Sequence, residues 1–253
     1  MFSLISCASF SIAKNPNKQN EDSILLPIRL EEGYLFGIAD GVGSYEGARE
    51  ASNTATNFLM SLNQNSIIKN SQFIDIKDIF KKIKYKIELL SNENEIFKDA
   101  ATTLTLCYVD NYGIRIGHIG DSRLYLKLNN QLIQITKDHT RHQQLLDAKL
   151  YTAKQLKKVS GKNILTTALS KNIDMNYDEY YLSLEDLNEY RDEENNIIIN
   201  IMSDGTHSIW ETRPKFSPKT LSSPLAFSSS LLRRINRVGA EDDHSLISVK
   251  IQF

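Results

Sequence analysis

The middle of the chain consists of short apolar runs with a period of two, and this pattern restricts the fold more than any other feature. The runs 102–109, 114–119, 123–127 and 131–135 are separated by Asn-Tyr-Gly, Gly-Asp-Ser and Asn-Asn. They predict an antiparallel meander. Helical patterns at 48–62 and 76–90 precede it, and an apolar strand at 197–202, a helix near 228–237 and a strand at 245–251 follow. This mixed order, with hairpins in the middle, predicts an α+β fold rather than a doubly wound one.

The N-terminus alternates apolar and polar residues from Phe2 to Ile12 and has no basic residue before its apolar stretch. It therefore reads as a first strand rather than a signal peptide. No apolar run approaches the roughly 18 to 20 residues that span a bilayer, and we find no internal repeat and no long linker. The sequence predicts a single domain over residues 1–253 with no membrane segment.

Charge and cysteine content exclude other classes. The 253 residues carry 30 Lys and Arg against 31 Asp and Glu, so no broad positive field favours nucleic acid. Cys7 and Cys107 cannot build a disulfide framework, which favours a reducing cytosol. Lysines at 81, 82, 84 and 86 lie on one predicted helix, where a solvated face is a better interpretation than a binding patch.

Acidic residues repeatedly stand where apolar strands begin or end. Asp40, Asp121 and Asp204 each follow such a run, and others precede one: Asp22 and Asp242-Asp243. Any one of these can be an ordinary turn residue. Strands that pack in one core would, however, bring the group to a shared rim.

A carboxylate cluster of this kind needs protons or cations. Two carboxylates about 4 Å apart repel by about 4 kcal/mol at an effective dielectric constant near 20. Oxygen ligands favour Mg²⁺ or Mn²⁺. Zinc is disfavoured because neither cysteine has a nearby partner, and because His139 and His142 fit capping or packing better than ligation.

Other catalytic templates do not fit. The glycines of residues 41–47 resemble a dinucleotide loop, but the last comes one residue late. Gly161-Lys162 has no glycine five residues earlier, so there is no Walker A motif, and no G-x-S-x-G elbow occurs.

Taken in order, these segments resemble the PPM family of metal-dependent protein phosphatases, the type 2C serine/threonine phosphatases, and in particular their compact bacterial members. The matching segments span nearly the whole chain: Asn20-Glu21-Asp22-Ser23, Ala39-Asp40-Gly41-Val42-Gly43, Ala101-Thr102-Thr103-Leu104, Ile119-Gly120-Asp121-Ser122-Arg123, Ile135-Thr136-Lys137-Asp138-His139-Thr140, 163–169, Ser203-Asp204-Gly205 and Asp242-Asp243-His244-Ser245. Each segment alone is weak evidence, and the ordered set is strong.

The resemblance implies a four-layer α/β/β/α sandwich, in which two central antiparallel β-sheets are flanked by helices and two or three Mg²⁺ or Mn²⁺ ions lie at one end. A flap-like segment at about 140–162 would border the substrate cleft. Asp121 and Arg123 would be structural. The implied metal ligands are Glu21, Asp22, Asp40, Gly41 through its carbonyl oxygen, Asp138, Asp204 and Asp242, with Asp138 and Asp204 at the third ion.

The resemblance also implies the catalytic residues Asp22, Asp40 and Asp204, with Asp40 bridging two ions and Asp22 orienting the attacking water. The sequence departs from the family at Asn17, where an arginine usually holds the substrate phosphate. Lys14 and Lys18 lie nearby and could serve instead as point charges. Asp242 keeps the family's spacing to Ser245, and is preferred over Asp243 for that reason.

The implied function is hydrolysis of phosphoserine and phosphothreonine in proteins by a metal-bridging hydroxide. The expected partners are phosphorylated proteins and a cognate kinase, and the expected form is a cytoplasmic monomer without nucleic acid or membrane. Two alternatives stay open. One is a pseudophosphatase that binds a partner without turnover, and the other is a hydrolase of small phosphate esters.

Overall fold

We describe the fold from a computed structural model, which covers residues 2–43, 47–62, 74–156, 158–161 and 163–253. Most of its strands form two five-stranded sheets. The strands are β1 (Ser3–Ile12), β2 (Asp22–Leu30), β3 (Gly33–Asp40), β4 (Ala101–Thr102), β5 (Leu104–Asp110), β6 (Gly113–Ile119), β7 (Arg123–Leu128), β8 (Gln131–Gln134), β9 (Leu169–Ser170), β10 (Asp178–Ser183), β11 (Asn196–Met202) and β12 (His244–Gln252).

Both large sheets are antiparallel. One sheet has the order β1-β12-β11-β7-β8, and the other has the order β10-β6-β5-β3-β2. A short pair joins β4 and β9. The α-helices are α1 (Ala48–Met60), α2 (Ile76–Glu93), α3 (Arg141–Asp147), α4 (Ala153–Leu156), α5 (Asp204–Thr212), α6 (Pro218–Leu221) and α7 (Pro224–Val238), with 3₁₀ turns at Glu95–Phe97 and Asp186–Tyr190.

Three apolar clusters separate four layers. The central cluster lies between the sheets, where Phe36 and Ile116 meet Ile199 and Val249. A second cluster packs α1 and α2 on the β2–β3–β5 side, and a third packs α5, α6 and α7 on the outer side of β11 and β12. Strands covered on both faces are mostly apolar, and β11 is buried along its whole length with Asn196 and Asn200 as its polar residues. The predicted four-layer α/β/β/α sandwich is confirmed.

The predicted continuous meander is wrong at one connection. Strands β5 and β6 pair with each other, and so do β7 and β8. Strands β6 and β7, however, belong to different sheets. The chain crosses between the sheets at Gly120, whose φ of 111° lies in the region that favours glycine. A short turn between apolar runs looks the same in sequence whether it closes a hairpin or changes sheets.

Sequence patterns also missed four short or partly polar elements: β9, β10, α5 and α6. Strand β10 lies at a sheet edge and keeps polar side chains on one face. Helix α5 begins directly after a strand, at a Ser-Asp-Gly sequence that predicts only a turn.

Two of the four lysines singled out on α2 pair with acids one turn away on the same helix. Lys82 pairs with Asp78 at 2.6 Å, and Lys84 pairs with Glu88 at 3.2 Å. Both cysteines are free. Among the helices that the structure describes, none has the length and apolar character needed to cross a membrane.

Candidate metal and phosphate cleft

A cleft of about 810 Å³ lies at one end of the two sheets and collects most of the acidic residues singled out in the sequence. Its walls come from loops after β1, β3, β6 and β11 and before β12. The lining includes Lys14, Lys18, Glu21, Asp40, Gly41, Thr103, Asp121, Asn163, Leu165, Asp204, Asp242 and Asp243.

Asp22 and Asp40 lie side by side on adjacent strands of one sheet. They are directly paired in the register of β2 and β3. The backbone of Asp40 is fixed on the next strand, because its carbonyl oxygen accepts from Thr103 N at 2.8 Å and from Thr102 Oγ1 at 2.9 Å. Asp22 is 6% exposed, and Ser203 Oγ donates to its Oδ2 at 2.8 Å. The two sheets are therefore joined at the floor of the cleft.

Asp204 and the Asp242-Asp243 pair approach the cleft from the other sheet. Ser203 N donates to the Ser245 carbonyl at 3.1 Å, and Ser245 N donates to Ser203 Oγ at 2.9 Å. These two bonds hold the end of β11 beside the start of β12. Asp204 stands in the first turn of α5, where the helix dipole favours a carboxylate.

Asp243 has a different environment from Asp242. Its Oδ1 accepts from Lys14 N at 2.7 Å, and its Oδ2 accepts from Glu21 N at 2.6 Å. Both oxygens are thus used to hold the loop between β1 and β2. Within the described part of the chain, the side chain of Asp242 accepts only the short-range bond from Asp243 N to its Oδ1, at 2.9 Å. This difference supports the choice of Asp242 over Asp243 as the available carboxylate.

Burial and mutual repulsion raise the pKa values of the clustered acids. Burial raises the pKa of Asp22 to about 7, opposed by the hydroxyls of Ser245 and Ser203 and reinforced by Asp204. Burial, followed by the charges of Asp22 and Asp204, raises the pKa of Asp40 well above its usual value. Glu21 also has a raised pKa, first from burial and then from Asp243 and Asp242. The cleft holds more negative charge than its surroundings compensate.

Asp121 belongs to this cluster, as its position after an apolar strand predicts, although the family resemblance implied only a structural role for it. It is 8% exposed and lines the cleft. Burial raises its pKa to about 8, with further increases from Asp204 and Asp138. The signal in the sequence is that Asp121 follows an apolar strand, as Asp40 and Asp204 do.

Asp138, predicted as a ligand beside Asp204, does not line the cleft. Arg123 holds both of its oxygens, with Nε at 2.7 Å from Oδ1 and a terminal nitrogen at 2.7 Å from Oδ2. This bidentate pair neutralises the carboxylate. Asp121, whose pKa the charge of Asp138 helps to raise, lines the cleft where Asp138 does not.

Two glycines allow neighbouring backbone segments to approach each other closely around the cleft. A Cβ at Gly41 would lie 2.8 Å from the Glu21 carbonyl oxygen, and one at Gly205 would overlap the carbonyl of Asp243. Gly41 N donates to that same Glu21 carbonyl at 3.1 Å. The loops that carry the acids can therefore pack only with hydrogen at these two positions.

The oxygen-rich cleft fits hard divalent cations. Asp22 Oδ1 is buried and has no hydrogen-bond partner among the residues that the structure describes, and a cation is the natural partner for such an atom. Within the described ranges, no three Asp, Glu, His or Cys side chains converge closely enough to form a metal site by themselves. Mg²⁺ commonly uses one or two carboxylates and retains several waters, so this arrangement suits it better than a metal that needs a closed set of protein ligands.

Two basic residues and the residues just after the predicted flap-like segment border the same cleft. Lys14 and Lys18 line it from the loop after β1, and Asn163 and Leu165 line it directly beyond the 140–162 segment. That segment contains α3 and α4 and is anchored where Arg141 N donates to the Ile164 carbonyl at 2.9 Å. Residues 157 and 162 of the predicted flap, and 44–46 of the dinucleotide-like loop, lie outside the described residues.

Two packed antiparallel sheets with acids converging at one end define the architecture and its site. The sequence profile described as Protein phosphatase 2C matches residues 14–248. The chain therefore belongs to the protein phosphatase 2C family, and the resemblance identified from the ordered motifs is confirmed.

Similar proteins agree with this assignment. A putative protein phosphatase of Mycoplasma genitalium is 30% identical over 137 residues, covering 51% of this chain and 52% of that protein. The chain thus spans about half the length of that relative. The serine/threonine phosphatase stp of Listeria welshimeri is 23% identical over 217 residues, covering 84% of this chain and 82% of that protein.

A solved structure has the same fold. The crystal structure of the catalytic domain of the serine threonine protein phosphatase PstP, in complex with two manganese ions, superposes with a TM-score of 0.74. It is 20% identical, and the match covers 100% of both chains.

Proposed function

We propose that this chain is a metal-dependent phosphoprotein phosphatase that hydrolyses phosphoserine and phosphothreonine. The observation that carries the proposal is the meeting of Asp40, Asp121, Asp204 and Asp242 at one cleft together with two lysines, with the buried Asp22 paired to Asp40 in the sheet. Burial, reinforced by repulsion between the carboxylates, raises the pKa values of Asp22, Asp40 and Asp121. Buried acids with raised pKa values lower the stability of the folded protein when they are ionised. Such groups are typical of catalytic and binding sites.

Two or three Mg²⁺ or Mn²⁺ ions would be held by Glu21, Asp22, Asp40, the Gly41 carbonyl, Asp204 and Asp242. Asp121 replaces Asp138 in this proposed set because it lines the cleft and its carboxyl group is not paired with an arginine. When bound, such ions neutralise charge on the transferring phosphoryl group and acidify water.

The protein's own groups have separable tasks. Lys14 and Lys18 bind the substrate phosphate as point charges, in place of the arginine that the family usually has at Asn17. Asp22 orients the attacking water through its buried carboxyl group, the role that the family resemblance implies for it. Ser203 orients that carboxyl group through Oδ2.

We further propose that residues 1–253 act as a single catalytic domain, with residues 140–162 as a flap over the cleft. The chain would work as a cytoplasmic monomer that opposes a serine/threonine kinase. No observation favours the alternative of a binding module without turnover, since such a module would retain the repulsion between carboxylates without benefit.

Turnover of p-nitrophenyl phosphate and of a phosphothreonine peptide, with Mn²⁺ added or removed by EDTA, tests the proposal. Activity should require the metal and fall at least 100-fold in Asp40→Asn and Asp204→Asn. The matched control is Asp174→Asn on an exposed loop, which should leave activity unchanged. A folded wild-type protein without turnover in any divalent metal would support the binding-module alternative.

A further inference from the structure

An unneutralised basic surface lies around the end of α7, far from the lysines of α2. We call it the α7 basic surface. Between residues 212 and 240 the chain has no Asp or Glu and has six basic residues: Arg213, Lys215, Lys219, Arg233, Arg234 and Arg237. In a chain of net charge -1, this is a strong local concentration of positive charge.

The tertiary structure brings the two ends of this stretch together. Arg234 donates to the carbonyl oxygens of Arg213 at 2.6 Å and Lys215 at 2.9 Å. Its guanidinium also lies 4.0 Å from the ring centre of Phe216. Burial, followed by the charges of Arg213 and Arg237, lowers the pKa of Arg234. Arg234 is thus the packed centre of the surface.

None of these six side chains forms an ion pair with any residue that the structure describes. Glu211, the acid nearest in sequence, pairs instead with Arg123. Arg233 and Arg237 are both exposed and four residues apart on one helix face, where like charges repel. A favourable helix dipole explains a cation in the last turn, but it does not explain six unpaired cations across two helices and a loop.

The cleft cannot by itself attract an anionic substrate over a distance. Six carboxyl groups and two lysines line it. Two divalent ions would therefore bring the net charge of the cleft only to about zero. The α7 basic surface could supply that attraction, because unpaired surface charge steers an oppositely charged partner.

The two sites are close enough for one peptide to reach both. Helix α5 starts at Asp204 in the cleft and ends at Thr212, next to Arg213. At 1.5 Å per residue this is about 13 Å, and an extended chain covers about 3.3 Å per residue. An acidic segment that begins about four to eight residues from the phosphorylated residue would span the gap.

We propose that the α7 basic surface docks acidic segments of phosphoprotein substrates and so selects among them. This inference rests on the proposed phosphatase function. It predicts a preference for substrates that carry Asp or Glu clusters beside the phosphosite, and that preference should weaken as salt concentration rises.

The test compares Arg233→Glu/Arg237→Glu with the matched control Lys81→Glu/Lys86→Glu, which changes the net charge equally on an exposed face of α2. The substrates are p-nitrophenyl phosphate, a neutral phosphothreonine peptide, and the same peptide with four Asp residues placed six positions away. The α7 variant should lose about 10-fold in kcat/KM on the acidic peptide alone. The control should behave as wild type.

Binding provides a second measurement that needs no turnover. Fluorescence anisotropy should show that the α7 variant binds an unphosphorylated acidic peptide more weakly than wild type does. The binding that remains should depend little on salt concentration. Equal kcat/KM on the acidic peptide for wild type and variant would overturn the docking proposal, as would an equal loss on all three substrates. If the α7 variant loses the ability to pellet with phosphatidylserine vesicles while its peptide kinetics stay unchanged, the surface binds a membrane and not substrates. If the wild-type protein shows no turnover at all, the phosphatase function is refuted. The anisotropy measurement still tests the docking proposal in that case.

Discussion

Replacing Asp121 with Asn should stabilise the metal-free protein at alkaline pH. Asp121 is buried, and its pKa is raised from 3.8 to about 8 by burial and by the charges of Asp204 and Asp138. The ionised group is therefore more costly in the folded protein than in the unfolded chain. Asparagine has nearly the same shape and no charge, so the variant removes this cost and also relieves Asp40, on which Asp121 acts.

The size and sign of the effect follow from proton linkage. Because the folded pKa lies above the unfolded value, the folded state binds more protons between about pH 4 and pH 8, and stability falls as pH rises through that window. At 1.36 kcal/mol per pH unit, a pKa raised from 3.8 to about 8 corresponds to up to about 6 kcal/mol. Even a third of this, about 2 kcal/mol, raises the melting temperature of a chain this size by about 4 to 8 °C.

The assay is calorimetry of the EDTA-dialysed protein at pH 5 and pH 9, with Asp174→Asn as the control. The Asp121→Asn variant should melt higher than wild type at pH 9, and the difference should be several-fold smaller at pH 5, where the folded wild type has its proton. Saturating Mn²⁺ should reverse the order, since the metal stabilises only a folded state that retains the carboxylate. A variant that melts lower than wild type at pH 9, or whose shift is the same at both pH values, would refute the reasoning.

Three further predictions concern single contacts. Lys18→Ala should raise KM for a phosphopeptide several-fold with little change in kcat, since a point charge on the phosphate would be lost; an unchanged KM in steady-state kinetics would reject this role. Arg123→Met should lower the free energy of unfolding by about 3 kcal/mol in urea titrations, because it leaves the mostly buried Asp138 carboxylate unpaired; a loss below 1 kcal/mol would show that the pair contributes little. Gly205→Ala adds a good helix former, yet it should destabilise the protein and weaken Mn²⁺ binding by calorimetry, because the methyl group overlaps the Asp243 carbonyl; a more stable variant with wild-type Mn²⁺ affinity would contradict this.

Local patterns predicted the elements well where one face of a strand or helix is buried. Helices α1 and α2 and strands β2, β3, β11 and β12 lie where apolar periodicity places them. Helix α5 was missed because its first turn is also a good turn sequence, and because its helical state depends on packing of Ile209 and Trp210 in the outer cluster. Strand β10 was missed because an edge strand keeps polar residues that weaken its periodicity.

The sequence alone determined which acids are available and in what order they occur, because apolar strands that end in Asp are a local property of the chain. Which of them meet is a tertiary property. The crossing at Gly120 places Asp121 in the cleft, and the Arg123 contact takes Asp138 out of use; both follow from how two sheets pack. The basic residues show the same division, since the i,i+4 pairs of Lys82 and Lys84 on α2 can be read from spacing along the chain, whereas the approach of Arg213 and Arg237 to Arg234 cannot. The charge of each residue can be read from the sequence. Which oppositely charged groups lie beside it in space depends on how the chain folds.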